Sequence, residues 1–123
     1  MSQNKELTGN TKLFDDYADK WTKKLGLEWW VITCHYCDSH KFIEIENDKN
    51  ALACCHVNWP YMTATIRVNK DHLADEKENN IETIVVHELM HILLNEMRDD
   101  EDTIDHEERV ATILAKCFLR NER

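Results

Sequence analysis

A chain of 123 residues, 42% of them hydrophobic, builds one compact domain and not two. Acidic residues outnumber basic ones 24 to 15, a formal charge of −9 that repels phosphate backbones and anionic lipid, so neither nucleic acid nor membrane is expected as a partner. With 2 Gly and 1 Pro, collagen-like, linker-like and Pro-rich architectures are excluded as well.

Residues 1–10 are polar and read as a flexible N-terminus, and Met1-Ser2-Gln3-Asn4-Lys5-Glu6 lacks the apolar core of a secretory signal. Leu13, Phe14, Tyr17, Ala18, Trp21 and Leu25 then fall at helical spacing, with Asp15, Asp16, Lys20 and Lys23 on the other side. The spacing predicts an amphipathic helix of about four turns, closed by Gly26 as C-cap. Trp29–Thr33 and Phe42–Glu46 are rich in β-branched and aromatic residues and read as strands, separated by turn residues at Asp38–Lys41. A second turn at Asn47–Asn50 leads to a third candidate strand, Ala51–Val57, which Asn58-Trp59-Pro60 interrupts. Tyr61–Asn69 alternates, with Met62, Ala64, Ile66 and Val68 pointing one way. This middle region predicts a small antiparallel meander of three to four strands.

Lys70–Asn80 is polar, with a short turn at Asp71–Leu73. Ile81 to about Met97 predicts a helix that is apolar on most of its circumference and therefore buried. Arg98–Asp102 is a solvated connector whose acidic spacing does not fit an EF-hand loop. A last helix runs from about His106 to Leu119. The class is α+β.

The buried helix contains His87-Glu88-Leu89-Met90-His91, an H-E-x-x-H motif. At 100° per residue, positions i and i+4 lie one above the other, so both imidazoles reach one ion. Glu88 lies about 60–100° around the axis, beside that ion rather than on it, where it accepts a proton from water. Zinc lowers the pKa of its water from 15.7 to about 7. Two His and a Glu inside a helix of Ile81, Ile84, Val85, Val86, Leu89, Ile92, Leu93 and Leu94 would otherwise be costly buried polar groups. The expected cofactor is Zn2+, with His87 and His91 as ligands and Glu88 as general base.

A catalytic zinc site needs a third protein ligand. Leu94 and Met97 stand where the extended motif needs Gly and His, so the third ligand comes from elsewhere. The candidates are Asp105, His106, Glu107 and Glu108, at the start of the last helix. On a helical wheel Glu107 falls near the centre of the stripe Val110, Ala111, Leu114 and Phe118, whereas Glu108 lies toward Ala111 and Ala115. Asp105-x-x-Glu108 also fits a capping box, in which Glu108 serves its own helix start. Wheel geometry alone does not separate the two glutamates.

The H-E-x-x-H motif followed by Glu107-Glu108-Arg109-Val110-Ala111-Thr112-Ile113-Leu114-Ala115 resembles small gluzincin-type zinc metallopeptidase domains of phage and mobile elements, similar to the ImmA/IrrE group. The resemblance covers mainly residues 60–120. In that group the third ligand is a Glu followed at +3 and +7 by small or apolar residues and then by an apolar pair. The matching positions are Glu108, Ala111, Ala115, Phe118 and Leu119. Thr112 stands where the group often carries Asn. The resemblance implies a minimal zincin-like domain over residues 11–123, with zinc on His87, His91 and Glu108. It further implies hydrolysis of a peptide bond in a protein or peptide substrate, which would pair with an edge strand. Tyr61–Asn69 is the natural candidate for that strand. Tyr61, His72, His106 and Arg109 are candidates to stabilise the oxyanion. Two other readings compete: a catalytically inactive, metal-stabilised binding module, and an SprT-like protease with His106 as third ligand.

The five cysteines are an odd set. Without an export signal they point to a reducing, cytoplasmic setting with free or metal-bound thiols. Cys34-x-x-Cys37-x-x-His40 and Cys54-Cys55-His56 raise the question of a second zinc, but adjacent strand residues face opposite ways, so buried packing is the simpler expectation. Cys117 falls among Val110, Ile113 and Leu114 and reads as core.

Overall fold

Helix α1 (Gly9–Lys24) lays Phe14, Ala18 and Trp21 into the core at the predicted spacing. It begins at Gly9, and the Asn10 side chain ties its first turn to the carbonyls of Leu73, Ala74 and Glu76. The helix ends as Gly26 predicts. With φ at 72°, Gly26 lets its own N–H reach Lys23 O and the Leu27 N–H reach Thr22 O, a paired closure of the last turn. Asp15, expected on the solvent side, is buried because its carboxylate accepts a hydrogen bond from the Tyr36 hydroxyl at 3.1 Å.

This computed structural model describes residues 9–95 and 104–122. After α1 come β1 (Val31–Cys37), α2 (Ser39–Glu46), β2 (Ala53–Asn58), a 3-10 turn (Trp59–Tyr61), β3 (Thr63–Asn69), the short α3 (Lys70–Leu73), α4 (Glu78–Asn95) and α5 (Ile104–Glu122). The architecture is α+β, with five helices and a three-stranded mixed sheet among the described residues. The connector Arg98–Asp102 lies outside them.

Two sequence expectations are corrected here. Phe42–Glu46 is the body of α2, not a strand. The Asp38 side chain accepts the Lys41 N–H at 2.9 Å, an N-cap, and Asn47 closes the helix in the left-handed region at φ 55°. These local bonds outweigh the β-branched composition, and only Phe42 of this segment is buried. The sheet is also not an antiparallel meander. Its order is β1-β3-β2, with β1 parallel and β2 antiparallel to β3. A helix between β1 and β2 removes the tight hairpin a meander requires, and β3 enters between the two earlier strands.

Strand β3 is therefore central. Ala64, Ile66 and Val68 alternate into the core as predicted, whereas Met62 falls before the strand and is exposed. Helix α4 runs through the core with Ile81, Val85, Val86, Leu89, Met90 and Ile92 buried. Helix α5 meets it along Ala111, Ala115 and Leu119, whose first two small side chains allow close approach. No helix among the described residues is long and apolar enough to cross a membrane.

Candidate metal centre

One turn of α4 separates His87 from His91, and their imidazoles meet edge to face with Nε2 atoms 3.3 Å apart. Glu108, in the first turns of α5, brings its carboxylate to both: 2.6 Å from His91 Nε2 and 3.3 Å from His87 Nε2. The three donors lie within 4.8 Å of one another and could hold a metal ion. Two ligand atoms on a tetrahedral zinc, each about 2.05 Å from it, sit roughly 3.3 Å apart, so two of the three separations fit such an ion. The third, from the other Glu108 oxygen to His91 Nε2, is shorter.

The far sides of both rings are also engaged. Glu107 Oε2 lies 2.7 Å from His91 Nδ1, and Thr112 Oγ1 lies 3.2 Å from His87 Nδ1. A carboxylate at Nδ1 accepts the ring proton there and leaves the Nε2 lone pair free toward the ion; the threonine hydroxyl can do the same for His87. The structure thus brings both candidate glutamates to the site, on opposite sides of one imidazole. Glu107 is 8% exposed and lies on the buried seam of α5 with Ala111, Ala115 and Leu119. Glu108, one residue on, projects from the rim of that seam and makes these ion pairs rather than acting only at its own helix start. The resemblance had marked position 112 as one that often carries Asn, but its contact with the His87 ring was not legible in the sequence, because a lone Thr at helical spacing shows no partner.

Glu88 is 6% exposed. Burial, then the nearby Glu108 charge, pushes its carboxyl up from 4.5 to about 8. Burial and the His91 neighbour lower the His87 imidazole despite the opposing Glu108 charge.

A cleft of about 650 Å³ opens beside these groups, lined by Glu88, His91, Glu107 and Glu108 on the helices and by Ala53, Cys54, Cys55, His56 and Val57 of β2, with Asp48 and Ala51 at one end. The wall strand is β2, whose outer edge is unpaired in the sheet. This corrects the expectation for Tyr61–Asn69: β3 is hydrogen-bonded on both sides and has no free edge to offer. Of the oxyanion candidates, Tyr61, His72 and Arg109 do not line the cleft, and the His106 side chain lies outside the described residues. His56, which the sequence singled out only beside Cys54 and Cys55, does line it, with Nε2 held by Glu46 at 2.8 Å.

The cysteines do not assemble a second site. Cys34 and Cys55 both sit opposite buried Ile66 and share the core face, whereas Cys37 and Cys54 sit opposite Asn69 and Arg67 on the other face. His87, His91 and Glu108 form the one such metal-capable group among the described residues, and all five cysteines are free. Burial pushes the Cys34 and Cys54 thiols up to about 12, as expected of protonated packing groups. Cys117, expected in the core, is exposed on α5.

Searches against protein-family models, curated proteins and solved structures find no match to this chain.

Proposed function

We propose that this protein is a zincin-like zinc metallopeptidase that hydrolyses a peptide bond in a protein or peptide substrate. The observation that carries this reading is the convergence of His87 Nε2, His91 Nε2 and Glu108 beside buried Glu88, at the wall of an open cleft. Donor chemistry fits zinc: two neutral imidazole nitrogens and one carboxylate, with another side available to solvent and substrate. When bound there, the ion supplies Lewis-acid polarisation of the carbonyl and acidifies water.

The chain's own residues supply the rest. Glu107 and Thr112 hold the two imidazoles with Nε2 turned inward. Glu88 takes the proton released as water attacks the carbonyl carbon and delivers it to the amine nitrogen as the C–N bond breaks. An environment that raises its affinity for a proton suits the second half of that task. The free edge of β2 offers backbone N–H and C=O groups to an extended substrate running along the cleft.

The test is the Glu88→Gln variant. Zinc content should equal that of the wild type, and turnover of an unfolded protein substrate should fall by about 10²–10⁴-fold. A wild type that holds one zinc yet cleaves nothing, with Glu88→Gln indistinguishable from it, would identify a metal-stabilised binding module instead.

A further inference from the structure

The cleft lining carries the acidic residues Asp48, Glu88, Glu107 and Glu108, of which Glu107 is held on the His91 ring and Glu108 in the metal-capable group, and no lysine or arginine among the described residues. Val57 is the last β2 residue on that wall, and two residues later the chain turns through Trp59-Pro60-Tyr61. Pro60 fixes its own φ within this turn, and Met62 closes it in the left-handed region at φ 53°. Its rings are presented to solvent rather than folded onto the core: Trp59 is 58% and Tyr61 77% exposed. The start of β1 lies at the same end of the sheet, with the Val31 N–H bonded to Met62 O and Val31 opposite Thr63, which Asn58 faces from the other side. Trp29, 85% exposed, leads into it. Half of the ten large hydrophobic side chains exposed among the described residues gather here, where a surface free of partners would carry polar groups.

We propose that the cleft and this aromatic end form one binding track for an extended, unpaired stretch of polypeptide. The partner segment carries basic residues over the carboxylates and an aromatic or branched aliphatic residue against Trp59 and Tyr61. The inference rests on the reading of the cleft as a peptide site and names the substrate class. Charge selects the occupant. A second copy of this chain brings the same −9, and nucleic acid or anionic lipid brings more negative charge, whereas a basic segment is attracted. Aromatic anchors beside a charged groove supply the apolar part of such recognition.

The test reads binding with turnover disabled. Zinc-loaded Glu88→Gln protein is titrated with labelled dodecapeptides: lysine-rich with a Phe at either end, the same with Ser for Phe, and the same with Glu for Lys. One of the two lysine–Phe peptides should bind about tenfold tighter than its Ser or Glu counterpart. Exchanging Trp59 and Tyr61 for Ser in that background should remove the Phe preference and leave zinc content unchanged. Equal affinities across the set, a preference untouched by the exchange, or wild-type dimerisation that depends on these aromatics would each overturn the proposal. Preferential binding by a protein whose wild type cleaves none of the peptides would uphold this track and reject the hydrolytic reading, so the two fail separately.

Discussion

Glu107 sits 2.7 Å from Nδ1 of His91, on the side of the ring opposite the Nε2 that Glu108 approaches. Two consecutive glutamates thus bracket one imidazole. In the proposed function Glu108 would offer an oxygen to the ion, and Glu107 would fix which ring nitrogen is free to join it. Glu107→Gln should weaken zinc affinity by about 10–100-fold with one-to-one stoichiometry retained at saturating metal. Glu108→Ala removes a ligand and should lower affinity further. Competition against a chelating dye measures both, and equal losses would contradict the division of roles.

The His87 counterpart is a neutral hydroxyl, Thr112, at 3.2 Å. Neutral hydrogen bonds are weaker than charge-assisted ones, so Thr112→Val should cost less than Glu107→Gln, about three- to tenfold in zinc affinity. Thr112→Ser should restore most of it. The same dye competition tests this ordering.

Metal-free protein should lose stability as pH rises. Burial, and secondarily Glu108, places the Glu88 carboxyl at about 8 against an ordinary 4.5, so between these values the folded chain holds a proton that the unfolded chain has released. His87 acts oppositely. Its affinity for a proton is lowered by burial and by His91, so stability climbs as pH approaches the ordinary imidazole value of 6.5. The net fall is therefore cleanest between 6.5 and 8, with a slope of up to about 1.4 kcal/mol per pH unit. Melting temperature followed across that interval should decline for the chelated wild type and stay flat for chelated Glu88→Gln.

Zinc itself should stabilise the fold, because its three donors come from two helices and the unfolded chain does not hold them together. At a free concentration 100 times the dissociation constant, the gain is about 2.7 kcal/mol, roughly 10 °C in Tm for a domain of this size. Calorimetry with and without chelator tests this, and no shift would contradict the assembled site.

The α4–α5 seam sets the distance between the candidate ligands. Ala115 is 1% exposed there, and Ala115→Leu adds three carbons without space to receive them. A loss of about 1–3 kcal/mol is expected from overpacking, with weaker zinc binding because Glu108 rides on the displaced helix. Ala115→Gly should spare the metal affinity by comparison.

How much of this was legible before folding depends on the range of the interactions. The turn-to-turn pairing of His87 and His91, the flanking position of Glu88, the α1 stripe and its Gly26 stop, and the alternation of Ala64, Ile66 and Val68 are set within a few residues, where 3.6- and 2-residue periods are readable from the chain. The α2 helix was misread because β-branched composition pointed one way while two caps, Asp38 and Asn47, decided the other. The order β1-β3-β2 depends on which strand enters between two others, a choice made by burial on both edges of β3 and not by any local pattern. For the same reason helical-wheel geometry could not assign the two adjacent glutamates, and in the sequence only the family resemblance pointed to Glu108. The packing of α5 on α4 turns Glu108 toward the Nε2 atoms and Glu107 behind the ring, because one residue is 100° of helix and the neighbouring helix fixes where that angle starts.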